Sequence, residues 1–149
     1  MPILEDLFQG SLNVSSSDWS LFDLIRDFLQ FRNIPLGPIL LKDKHINLKN
    51  IWKSGGGSHQ HKLEKIHFLL RFFPEMKFIL IGDSGQHDPE IYAEICHEYP
   101  QRVMAVFIRE IHPKHSESPE RREMEEELDF HFIQSTQEAI SLAEKLQII

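Results

Sequence analysis

The sequence has one cysteine, Cys96, so no disulfide can close within the chain. A reducing, cytoplasmic setting fits that usage. No apolar run approaches the roughly 18 residues that a membrane-spanning helix needs. The opening stretch MPILEDLFQG carries acids where a secretory signal carries bases. Positive charge is scarce: 16 Lys and Arg against 23 Asp and Glu leave a net −7, which argues against a nucleic-acid partner. There is no G-x-S-x-G elbow and no G-x-x-x-x-G-K-[ST] phosphate loop, and GDSGQ at 82–86 is not a dinucleotide fingerprint. Nine histidines without cysteine partners form no recognisable zinc pattern. No internal repeat is present.

What remains is an ordinary globular composition, 41% hydrophobic and 26% charged. The 149 residues suffice for one domain with its own core, so a single domain over 1–149 is expected. Short apolar runs alternate with amphipathic segments. SLNVS (11–15), GPILL (37–41), KFILIG (77–82) and RVMAVFI (102–108) read as strands, with DFHFI (129–133) as a short edge strand. KFILIG, apolar after its leading lysine, predicts a strand covered on both faces. Helices are expected over 18–31, 61–73, 89–99, 120–128 and 135–146, the last capped by Ser135 or Thr136. The connection over 42–60 contains SGGGSHQ, and a flexible loop is expected at about 53–60. Strand–helix alternation predicts an α/β, Rossmann-like, three-layer α/β/α fold with a mostly parallel sheet. In such sheets ligands bind beyond the carboxyl ends of the strands.

The loops at those ends hold the candidate chemistry. FILIGDSGQHDPEIYAEI (78–95) delivers Asp83 and Asp88 together after an apolar strand. Hard cations such as Mg²⁺ take oxygen ligands, commonly one or two carboxylates plus water and substrate phosphate. Asp88 precedes Pro89, so it can equally be a helix N-cap, and Asp83 can simply start a turn. The hydroxyls of Ser15, Ser16 and Ser17 can bind a phosphoryl oxygen at a strand end, or Ser17 or Asp18 can cap the next helix. Lys62 stands at a helix start, where a cation is disfavoured by the helix dipole. It can neutralise a phosphate or serve as an exposed solubilising residue. His59 and His61 are candidates for a soft metal in a glycine-rich loop. The run ESPERREMEEE (117–127) reads as a solvated helix face.

NVSSSDWSLFDLIRDFL, GPILLKD, HKLEKI, KFILIGDSGQHDPEIYAEI, YPQRVMAVFIREI and STQEAISLAEKL follow one another in an order that resembles the catalytic domain of the actin-patch phosphatidate phosphatases. That family lies in the haloacid-dehalogenase superfamily, and the resemblance runs from about residue 12 onward. It implies Mg²⁺-dependent hydrolysis of a phosphate monoester, with phosphatidate as the lipid substrate and an aspartyl-phosphate intermediate. It implies phosphoryl binding by Ser15, charge neutralisation by Lys62 and a Mg²⁺ clamp of Asp83 and Asp88. Peripheral membrane contact through Trp19, Phe22, Phe28 and Phe31 is one use of the 18–31 helix, and packing in the core is the other.

The family's first motif, Asp-x-Asp-x-Thr, has no counterpart, because no D-x-D occurs in the sequence. The expectation is an N-terminally truncated domain, inactive alone: a shortened product, a degenerate copy or half of a split protein. The alternatives are a phosphatase using other residues and a non-catalytic module that binds Mg²⁺ and phosphate. The strand bearing that motif is central in the superfamily's sheet. Without it the Ser15 strand and the Ile79–Ile81 strand are expected to keep open edges, available to a second copy or a partner chain.

Overall fold

The structure, a computed structural model, describes residues 13–32, 39–42, 58–111 and 118–148. The chain divides into two compact units, Met1–Phe68 and Leu69–Ile149. Five α-helices and five strands occur among the described residues, and every strand pairing is parallel, which makes the class α/β and Rossmann-like.

In the first unit, β1 (Asn13–Asp18) pairs with β2 (Ile39–Lys42). Val14 opposes Leu40 and Asp18 opposes Lys42, so four steps on β1 face two on β2. Two extra residues are therefore taken up across Ser15–Ser17 as a bulge. The expected strand end at Ser15 is thus corrected: pairing resumes at Asp18. A 3-10 turn over Trp19–Leu21 leads into helix α1 (Phe22–Phe31). The N-cap position of α1 falls at Leu21 with no side-chain cap bond, not at Ser17 or Asp18. Leu29 is buried on α1, while Leu24, Phe28 and Phe31 are exposed.

Helix α2 (Ser58–Phe72) starts three residues before the expected His61, so Ser58–Gln60 are helical rather than part of the loop. Gln60 reaches Glu64 one turn on, at 3.4 Å, as i,i+4 neighbours do. The remainder of that loop, 43–57, lies outside the described residues, as does 112–117. Lys62, Leu63, Ile66, Leu69 and Leu70 form the buried stripe of α2 at helical spacing.

The second unit is built on a sheet of order β3-β4-β5: Phe78–Asp83, Val103–Arg109 and Phe130–Ile133. Side chains alternate between its faces. One face presents Ala105, Phe107 and Ile133 to Ala139, Ala143 and Leu142 of the closing helix, Thr136–Lys145. The opposite face meets helix α3 (Asp88–Glu98), whose Ile91 and Ile95 are almost wholly buried. Val106 and Ile108, at 0% exposure, mark the centre of this core. Helix α4 (Pro119–Glu127) is capped by Ser118, whose hydroxyl accepts from Arg121 N–H at 3.2 Å. The closing helix, α5, has Ser135 as its cap, and Glu138 reaches back to Gln134 N–H at 2.8 Å.

The expectation that the third strand is covered on both faces is corrected. α5 packs on β4 and β5, and on β3 it leaves Ile79 at 38% and Ile81 at 72% exposure. β3 stands at the end of its sheet, as β1 and β2 do in theirs.

Arg102 ties the end of α2 to the sheet. Its guanidinium donates to the carbonyls of Phe73 (2.5 Å), Met76 (2.8 Å) and Leu70 (3.1 Å) and lies 5.9 Å from the Phe78 ring centroid. Carbonyls at a helix end otherwise lack partners, and bonds from a charged donor are the strong ones. Arg102→Ala is expected to lower stability by roughly 2–4 kcal/mol, and Arg102→Lys by less, in urea unfolding.

Candidate active site

The site is assembled at the carboxyl end of β3, where a strand hands over to a helix in six residues. Asp83 is the last residue of the strand, and its Oδ1 accepts from Gly85 N–H at 2.8 Å. That bond is an Asx turn, the conformation that Asp favours at such corners. Ser84 closes the loop against β4: its N–H donates to Arg109 O at 3.0 Å, and its Oγ accepts from Ile111 N–H at 3.0 Å.

Asp88 opens α3 with Pro89 behind it and is 4% exposed. The N-cap reading of Asp88 does not hold. His87 takes the cap position, and the Asp88 Oδ2 accepts from Asp83 N–H at 3.3 Å. A carboxylate in the first turn is favoured by the positive end of the helix dipole, and a buried one requires hydrogen bonds of this kind.

Gly82 makes the arrangement possible. A Cβ on it would lie 2.5 Å from Asp88 Oδ2 and 2.8 Å from Asp88 Cβ. Gly85 is tight as well, with Ile111 Cδ1 at 2.9 Å and Asp83 Oδ1 at 3.0 Å from the same construction. Tyr92, one turn into α3, donates its hydroxyl to Ile81 O at 3.0 Å. Burial, and then the Asp88 and Asp83 carboxylates, push its phenol well above the usual tyrosine range, so it remains a neutral donor.

The other candidates lie in the first unit. Ser15, Ser16 and Ser17 form the bulged part of β1. Lys62 is 8% exposed on α2, which rules out the solubilising surface role. His59 and His61 sit two apart on α2, a spacing that does not place side chains on a common helix face. Cys96 is buried, and burial followed by Asp129 pushes its thiol up to about 11, so it is no nucleophile at neutral pH. Among the described residues no group of three or more His, Cys, Asp or Glu side chains could hold a metal ion. Asp83 and Asp88 are two oxygen donors at one corner, which fits a hard cation that takes its other ligands from water and substrate phosphate. Tyr92 and Ser84 were not foreseen as parts of the site. Tyr92 falls four residues after Asp88, the spacing of one helical turn, and that was the available signal.

The family model described as "Phosphatidate phosphatase APP1, catalytic domain" matches residues 5–110. The chain belongs to that family. It is 36% identical over 96 residues to the phosphatidate phosphatase APP1 of Saccharomyces cerevisiae, a stretch that is 64% of this chain and 16% of that protein. It is 31% identical over 99 residues to an uncharacterized protein of Schizosaccharomyces pombe, covering 66% of this chain and 16% of the relative. The chain therefore spans about a sixth of the length of these curated relatives. No solved structure matches it. The family match contains the whole β3–α3 corner and ends just past β4.

Three substitutions test the phosphatase-family corner. Gly82→Ala is expected to lose about 1–3 kcal/mol in denaturant unfolding, because the buried Asp88 cannot withdraw. Gly85→Ala should lose less, since the flexible end of Ile111 can give. For Tyr92 the sign is that of a raised pKa. Its contribution to stability is full below about pH 10, where the unfolded phenol ionises, and is lost as pH climbs toward the higher folded value. Urea unfolding between neutral pH and pH 11 should show a smaller alkaline loss for Tyr92→Phe. That variant should give up about 1 kcal/mol at neutral pH through its missing hydrogen bond.

Proposed function

We propose that this chain carries the phosphate- and cation-binding part of a phosphatidate phosphatase catalytic domain of the haloacid-dehalogenase type, working on a lipid phosphate monoester in the cytoplasm. The observation that carries this reading is the gathering of the Asp83 and Asp88 carboxylates at the carboxyl end of β3 in a chain of that family. Asp83 and Asp88 would hold Mg²⁺. When bound, the ion shields the negative charge of a phosphoryl group. By likeness to the family, Ser15, with Ser16 and Ser17 beside it in sequence, is the candidate for a phosphoryl oxygen, and Lys62 is the candidate for neutralising charge. The Asx turn at Asp83 and the Asp83 N–H bond to Asp88 fix both carboxylates before any ligand arrives, so little ordering remains to oppose binding.

Asp-x-Asp-x-Thr, which supplies the attacking aspartate and the general acid in this superfamily, does not occur in the sequence. We therefore propose that the chain does not turn over substrate by itself. No helix among the described residues is long and apolar enough to cross a membrane. Contact with a lipid substrate is accordingly assigned to the surface of the protein, with the exposed Phe28 and Phe31 of α1 as the apolar residues available.

The test is phosphate release from a short-chain phosphatidate and from p-nitrophenyl phosphate, with Mg²⁺ or EDTA, beside calorimetric Mg²⁺ titration. The expected result is Mg²⁺ binding that Asp83→Asn abolishes, with no release above the EDTA blank. Mg²⁺-dependent release that Asp83→Asn removes would overturn the inactivity and show that another residue attacks phosphorus. Absence of Mg²⁺ binding in the unaltered chain would overturn the clamp.

A further inference from the structure

We propose that Arg109 is a phosphate-binding residue, its guanidinium contacting the oxyanion of a phosphate monoester beside the cation held by Asp83 and Asp88. The proposal rests on reading those two acids as a cation clamp. Arg109 ends β4 as Asp83 ends β3, and the two are register partners in a parallel pair. Their side chains therefore leave the same face of the sheet on neighbouring strands about 5 Å apart. Opposite charges so placed ordinarily pair. Yet the Arg109 side chain is exposed and makes no ion pair or hydrogen bond among the described residues.

Its backbone, by contrast, is firmly held. Arg109 O accepts from Ser84 N–H at 3.0 Å, and Glu110 N–H donates to Ile133 O at 2.8 Å. The Glu110 carboxylate pairs with Arg121, and these side chains are only 9% and 14% exposed. Arg121 in turn lies 4.1 Å from the centroid of the Phe132 ring. Desolvating two charges opposes folding. Here the charges secure the short segment between β4 and the Ser84 loop. A rigid backbone carrying a guanidinium with no partner among the described residues is a preorganised donor, and the planar fork of Arg matches two phosphoryl oxygens at once.

The charge balance points the same way. Two carboxylates and a divalent cation cancel, so the clamp alone presents no net attraction to a phosphate dianion. Arg109 supplies the positive charge that the clamp lacks.

The experiment is calorimetric titration of the purified chain with Mg²⁺, and with inorganic phosphate in the presence and absence of Mg²⁺. The variants are Arg109→Ala, Arg109→Lys and Asp83→Asn, with the exposed Arg122→Ala as control. Circular dichroism checks that each is folded. Arg109→Ala should weaken phosphate binding by about tenfold or more, with Arg109→Lys between it and the unaltered chain. Mg²⁺ affinity should not fall in either, and Arg122→Ala should change nothing. Equal phosphate affinity in Arg109→Ala and the unaltered chain, or no phosphate binding at all, would overturn the proposal. Loss of the Mg²⁺ heat alone would overturn the clamp instead. A phosphate site that still disappears in Arg109→Ala would then leave Arg109 standing.

Discussion

The side chain of Asp88 lies against Gly82, where a Cβ would stand 2.5 Å from its carboxylate oxygen, and much of the second unit follows from that contact. Because the strand is bare at that point, the first residue of α3 can come down onto it and take the Asp83 N–H. The helix then starts at a fixed distance from the strand, and Tyr92 arrives one turn later over Ile81 O. Asp83, with its N–H used by Asp88, turns the chain through its own carboxylate and Gly85. Helix and strand are thus joined at a polar, charged end as well as along the apolar side where Ile91 and Ile95 are buried. A charged anchor of this sort has little slack, because a buried carboxylate that loses its donors is strongly unfavourable.

The same punctuation explains what could be read in advance. Gly82, Pro89 and the apolar run between 78 and 81 marked the β3–α3 corner to within one residue, and the acid pair within it was visible as chemistry. Ser135 or Thr136 was readable as the cap of α5, since an N-cap is a local device, and the structure puts Ser135 there with Glu138 reaching back to Gln134 N–H. Besides local misses at helix starts, such as the α1 cap at Leu21 and the α2 start at Ser58, the larger misses are long-range. The bulge across Ser15–Ser17 depends on β2, which lies more than twenty residues along the chain. Burial of Lys62 depends on which face of α2 turns inward. Exposure of Ile79 and Ile81 depends on how far across the sheet α5 reaches, and no pattern within FILIGD records that.

Arg121 shows the limit of composition. It sits in ESPERREMEEE, a run that reads as a solvated face, and most of α4 is indeed exposed. One residue in it points the other way, onto Phe132 and Glu110, and connects this acidic helix with the strand ends where the candidate chemistry lies.

The buried Cys96 has a practical consequence. It shares α3 with Asp88, and its thiol stays protonated and shielded in the folded chain. A thiol-alkylating reagent can reach it only when the helix lifts from the sheet, and the chain offers no other sulfhydryl to compete. The rate of modification is therefore a clock for the opening of the very helix that places Asp88. Ligand-induced tightening of the corner would slow that clock without any label having to be introduced.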